Sequence, residues 1–154
     1  LHASLAPSEM CIRDSVKPGI TFRMIHDKAA AVLAEHLDEW GLLPVSAEEA
    51  VKPSGQQHRR WMPHGVSHHL GLDVHDCAQA RQELYQDGIV QEGMIFTIEP
   101  GLYFKAEDLA VPEEYRGIGV RIEDDILVTA DGAESLTKDI PRTVDEVEAW
   151  LKRG

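Results

Sequence analysis

Sulfur is scarce in this chain. Its two cysteines, Cys11 and Cys77, lack metal-binding spacing and are too few for a disulfide scaffold, which favours a reducing, cytoplasmic setting. No apolar run approaches the roughly eighteen residues that a membrane span needs, so a membrane partner is not expected. Basic residues are also in short supply, 15 against 27 acidic, for a formal net charge of −12. A chain so acidic repels phosphate backbones and carries no basic stripe, which excludes nucleic acid while leaving cations welcome. Gly117-Ile-Gly119 lacks the third glycine and following helix of a dinucleotide loop. At 154 residues, 43% of them hydrophobic, the composition is that of one globular unit with a real core.

Histidine, by contrast, is concentrated. Five of the eight (His58, His64, His68, His69 and His75) fall in one stretch centred on His64-Gly-Val-Ser-His-His-Leu-Gly-Leu-Asp-Val-His-Asp76. Imidazole is a common metal ligand and titrates near neutrality. His64 and His68 have the four-residue spacing of a helical zinc-protease pair, but no glutamate base stands between them and Gly65 weakens a helix. The stretch reads as a glycine-jointed loop feeding a short strand over residues 72–75, with Asp73 and His75 on one face and Leu72 and Val74 on the other.

Around it, residues 1–15 show neither helical nor strand periodicity and are expected to form a disordered or non-native tail. Residues 8–15 resemble translated sequencing-adapter read-through, which would make the reading frame a truncated gene. Apolar residues from Phe22 to Trp40 recur at helical spacing, and this helix should stop near Gly41. His26 and His36 on it are assigned no chemistry. A loop with a short turn at residues 46–49 leads to the histidines, and a helical turn is expected within residues 77–88. Residues 94–99 alternate as a strand, Met94, Phe96 and Ile98 opposite Thr97 and Glu99. Residues 117–123 form a second, Val120 and Ile122 opposite Arg121 and Glu123. Thr143-Val-Asp-Glu146 is a capping box opening a terminal helix. The order of elements indicates an α+β domain, a mainly antiparallel sheet with helices on one face.

Glu99 and Glu123 each sit on the polar side of an otherwise apolar strand, where an unpaired carboxylate is costly. A salt bridge to Arg121 is one solution. A cation shared with the histidine loop is the other, and an imidazole with several carboxylates suits manganese or another first-row divalent ion.

The histidine motif, together with Glu92-Gly-Met-Ile-Phe-Thr-Ile-Glu-Pro-Gly-Leu-Tyr103 and Tyr115-Arg-Gly-Ile-Gly-Val-Arg-Ile-Glu-Asp-Asp-Ile-Leu-Val128, resembles the proline-specific metallopeptidases, aminopeptidase P and prolidase. The likeness runs over residues 16–154, closer to aminopeptidase P. It implies the C-terminal portion of a pita-bread catalytic domain that releases an N-terminal residue preceding proline, using water activated by two divalent metal ions, with Mn2+ the expected metal. By the same resemblance His68, Glu99 and Glu123 are metal ligands and Glu99 is also the base. His75, His64 and Arg121 are catalytic or substrate-contacting residues, and His69 is a packing residue. The family's other two ligands are upstream aspartates, and no stretch here corresponds to them, so the chain alone is expected to be inactive. The implied partner is a peptide with proline in second position, and the full-length protein is expected to be a homo-oligomer. Prolidase and a non-catalytic pita-bread binding module are the alternatives.

Overall fold

The computed structural model describes residues 2–153, with side chains from Ser8 onward. Helix α2 (Arg23–Glu39) is the central support. Its Ile25, Ala29, Leu33 and Leu37 recur every three to four residues and are fully buried, the stripe an amphipathic helix turns inward. The helix ends as expected. Gly41 adopts φ +69°, and the Gly41 and Leu42 amides donate to the carbonyls of Asp38 and Leu37, a Schellman stop that favours glycine.

Two short helices follow as anticipated, α3 (Ala47–Val51), whose first turn is capped by the Ser46 hydroxyl, and α4 (Gln82–Tyr85). Five strands, β1 (Ile95–Ile98), β2 (Gly101–Tyr103), β3 (Gly119–Arg121), β4 (Asp124–Val128) and β5 (Ala133–Ser135), pair only antiparallel, in the orders β1-β4-β5 and β2-β3. Phe96, Ile98, Ile126 and Val128 join the buried stripe of α2 in one core. Phe22, just before α2, meets Phe96 edge-on with ring centroids 5.3 Å apart, so helix and sheet are locked beside the histidine loop. The last helix, α5 (Val144–Leu151), opens on the expected capping box, Thr143 and Glu146 bonding reciprocally. It buries none of its residues.

Two expectations are corrected. Residues 72–75 are not a strand. The chain there is a tight exposed loop in which the Gly71 amide donates to the Asp73 carbonyl and the Asp76 amide to the His69 carbonyl. A Cβ on Gly71 would run into the Asp76 carboxylate, so the glycine permits the fold-back that local alternation mimicked as a strand. Residues 1–15, expected to lack regular structure, contain helix α1 (His2–Arg13). Among its described side chains the inward positions are Ser8, Glu9 and Ile12, followed by Val16. Helical spacing is present there, but two of the four residues are polar, and a hydrophobic period cannot register them.

Candidate metal centre

The site grows out of one antiparallel ribbon with a break in it. Ile98 lies opposite Asp124, and Gly101 opposite Arg121. Carried through the break, that register sets Glu99 across from Glu123. Pro100 has no amide hydrogen to donate there, and the gap is spanned by the Ile122 amide donating to the Pro100 carbonyl at 3.3 Å. Like charges directly across a strand pair repel, so the ribbon carries a charge that needs a neutralising partner.

The histidine loop arrives along the other side of β1. Residues 66–70 run extended beside it: the Leu70 amide donates to the Ile95 carbonyl, Thr97 to His68, and Glu99 to Val66. These bonds set the imidazole of His68 beside Glu99, Nε2 lying 3.3 Å from Oε1. One ligand atom from each of His68, Glu99 and Glu123 lies within 4.8 Å of the other two. Among the described residues no other such grouping of His, Cys, Asp or Glu occurs.

Thr97 completes the local frame. Its hydroxyl accepts from the His68 amide at 3.1 Å and donates to Glu99 Oε1 at 3.3 Å, so one side chain, itself 1% exposed, holds both loop and carboxylate. Strand alternation put Thr97 on the Glu99 face, but nothing in the sequence pairs it with His68. Arg121 reaches both acids, 3.6 Å to Glu99 and 3.7 Å to Glu123. These contacts are longer than a charge-assisted hydrogen bond, and the guanidinium is half exposed. The two carboxylates therefore keep charge and lone pairs to spare, and with a neighbouring imidazole the donor set fits a divalent cation.

The remaining predicted residues divide. His75 lies on the exposed loop with its ring edge-on to His68, centroids 4.5 Å apart. His64 is turned to Tyr103: Nδ1 is 2.6 Å from the Gly65 carbonyl, and Nε2 is 2.9 Å from the Tyr103 hydroxyl. Those bonds select the tautomer with hydrogen on Nδ1 and the phenol donating to Nε2. The Tyr103 side chain lies across two glycines, and a Cβ would come within 2.8 Å of its hydroxyl at Gly101 and 2.9 Å of its ring at Gly119. That cradle depends on cross-strand register and had no sequence signal. His69 stacks on Phe22 at 4.3 Å and is edge-on to Tyr85. Burial, assisted by His68, holds it below the usual histidine value against the opposing pull of Asp76. It packs rather than ligates, as expected. His58, counted with the cluster in sequence, is buried elsewhere with Nδ1 on the Ala50 carbonyl at 2.9 Å.

Comparison with known proteins identifies the family and the fold. The family model for metallopeptidase family M24 matches residues 2–130. Xaa-Pro aminopeptidase 1 of Streptomyces coelicolor is 58% identical over 137 residues, covering 89% of this chain and 28% of its own length. Among solved structures, Pseudomonas aeruginosa aminopeptidase PepP superposes with a TM-score of 0.86 at 33% identity, over 99% of this chain and 34% of that one. Escherichia coli aminopeptidase P, solved zinc-substituted with product and also with the inhibitor Pro-Leu, superposes at 0.85 and 34% identity. It covers 99% of this chain and 33–34% of its own. The chain thus has part of the pita-bread aminopeptidase P fold and spans about a third of the length of these relatives.

Proposed function

The chain belongs to metallopeptidase family M24, and on that premise we propose that residues 16–154 are the C-terminal portion of an Xaa-Pro aminopeptidase-like catalytic domain. Residues 8–15 are proposed to be non-native. The observation that carries the reading is the convergence of His68, Glu99 and Glu123 within 4.8 Å, from a loop and two strands far apart in sequence.

His68, Glu99 and Glu123 would hold divalent metal, two Mn2+ ions in a site completed by ligands outside this chain. Such ions, when bound, polarise the scissile carbonyl and lower the pKa of water. The chain's own groups do the rest. Glu99, fixed by Thr97, takes the proton of the attacking water. Arg121 steadies Glu99 and Glu123. The amide before proline has no N–H, and its nitrogen leaves as a secondary amine that must be protonated. His75, exposed beside His68, delivers that proton or orients the carbonyl, and His64, held by Tyr103, lines the substrate pocket.

No helix among the described residues is long and apolar enough to cross a membrane. Cys11 and Cys77 are free and exposed, which supports a cytoplasmic placement. Val144, Trp150 and Leu151 leave apolar surface uncovered on α5, which supports a homo-oligomer of the full-length protein.

The test is manganese-dependent release of the first residue from Xaa-Pro-Xaa peptides by the full-length protein, with the 154-residue chain as comparison. The full-length protein should cleave and the shorter chain should not. Equal or faster cleavage of Xaa-Pro dipeptides would make it a prolidase, and no cleavage with intact metal binding would make it a binding module.

A further inference from the structure

A cleft of about 550 Å3 opens beside His68 and His75, with Arg23, Ser67, Gln82 and Gln86 on its walls. Its volume lies in the range of small-ligand sites. The metal centre uses none of those four side chains.

Arg23 is held in place twice. Its amide donates to the Gln86 carbonyl at 2.7 Å, and its Nε donates to Asp87 at 2.8 Å. Those bonds leave the terminal nitrogens of the guanidinium free, a planar fork shaped for a carboxylate. Gln82 and Gln86 are four residues apart and so project from one side of α4 and its continuation. Each carboxamide offers a donor and an acceptor, matching the N–H and C=O of a peptide group. Ser67 Oγ is buried without a protein hydrogen-bond partner. The carboxylate nearest Arg23, that of Asp87, is held by its Nε and is not among the lining residues, so the cleft walls offer a substrate donors rather than a free acid. One cation with neutral amides suits a single carboxylate at the end of a peptide better than a doubly charged phosphate.

We propose that this cleft holds the substrate beyond the proline, with Gln82 and Gln86 on its backbone and the Arg23 fork on the C-terminal carboxylate of a short peptide. This rests on the peptidase reading above and assigns to Arg23 a role in substrate length and end-group preference.

The test compares Ala-Pro-Ala as free acid and as C-terminal amide in the manganese-loaded full-length enzyme. The acid should be favoured about tenfold in kcat/KM, the scale of one charge-assisted bidentate contact. Arg23→Gln should bring the acid-to-amide ratio close to one, and Arg23→Lys, which keeps the charge but loses the fork, should fall between. An unchanged ratio in Arg23→Gln, or no preference in the parent, overturns the assignment. A second measurement does not need catalysis: NMR titration of the 154-residue chain with Pro-Ala should move the amide signals of Arg23, Gln82 and Gln86. Shifts there without hydrolysis by the full-length enzyme keep the cleft and sink only the peptidase reading. Hydrolysis with no shifts and no end-group preference sinks the cleft and keeps the peptidase.

Discussion

Glu99 and Glu9 are both withdrawn from solvent, 8% and 0% exposed, yet their surroundings differ. Glu99 receives a hydroxyl hydrogen bond from Thr97, touches His68 and has Arg121 within 3.6 Å. Glu9, on α1, is enclosed beside a second carboxyl, that of Asp124. Its nearest cation, Arg142, stands 3.7 Å away and is committed to Asp124 at 2.7 Å. Burial first, then the charge of Asp124 and a hydrogen bond shared with it, push Glu9 up to about 7 against the weaker pull of Arg13 and Arg142. A buried carboxyl beside a second carboxylate disfavours its own ionisation. The first environment surrounds a carboxylate with a hydroxyl donor, an imidazole and a guanidinium. The second encloses one against another acid, with its cation shared.

Removing a ligand should give the largest effect. Glu99→Ala or His68→Ala is expected to weaken manganese binding by at least about 100-fold, since even supporting residues of metal sites are worth about 10–100-fold. Calorimetric titration of the chain reads this directly, and an unchanged affinity would place the metal elsewhere. The Glu9 side of the comparison is tested by pH. Below about 4.5 folded and unfolded chains both hold the Glu9 proton, and between 4.5 and 7 only the folded chain does. The Glu9 contribution to stability is therefore fully present at low pH and is lost as pH rises to about 7. Glu9→Gln should abolish that slope and raise stability at pH 8 by about 1–3 kcal/mol, measured by urea unfolding across pH. No change in slope would mean that the carboxylate finds water or a partner.

A comparable cost, about 1–3 kcal/mol for overpacking, is expected from Gly119→Ala, whose methyl would press on the Tyr103 ring 2.9 Å away. The distinguishing readout is the His64 imidazole signal, which should lose its Tyr103 hydrogen bond while the His69 signal stays put. The smallest effect belongs to Thr143→Ala. Loss of the cap costs about 1 kcal/mol of local helix stability. Because α5 buries nothing, helicity should fall with little change in global unfolding.

Much of the site was legible because its chemistry is written in residue types that are expensive to bury or rare in clusters. The histidine run announced a site, and strand alternation placed Glu99 and Glu123 on polar faces before any contact was known. The loop over residues 72–75 misled because alternation describes which way side chains point, whereas a strand also needs a neighbour for its hydrogen bonds. There the chain folds back on itself instead, and β1 pairs with residues 66–70. Helix α1 was invisible for the opposite reason, its buried face containing a serine and a glutamate.

The amino-acid sequence by itself determined the pieces: α2 with its glycine stop, the strand faces that carry Glu99 and Glu123, and the capping box. These follow from local periodicity and from side-chain chemistry that needs no distant partner. Only the tertiary structure decided that Glu99 stands opposite Glu123, that Thr97 ties His68 to Glu99, that two glycines seat Tyr103 against His64, and that Arg23 faces the same cleft as His75. Each of those depends on register between segments tens of residues apart, and register is set by the packing of the whole core rather than by any one stretch of the chain.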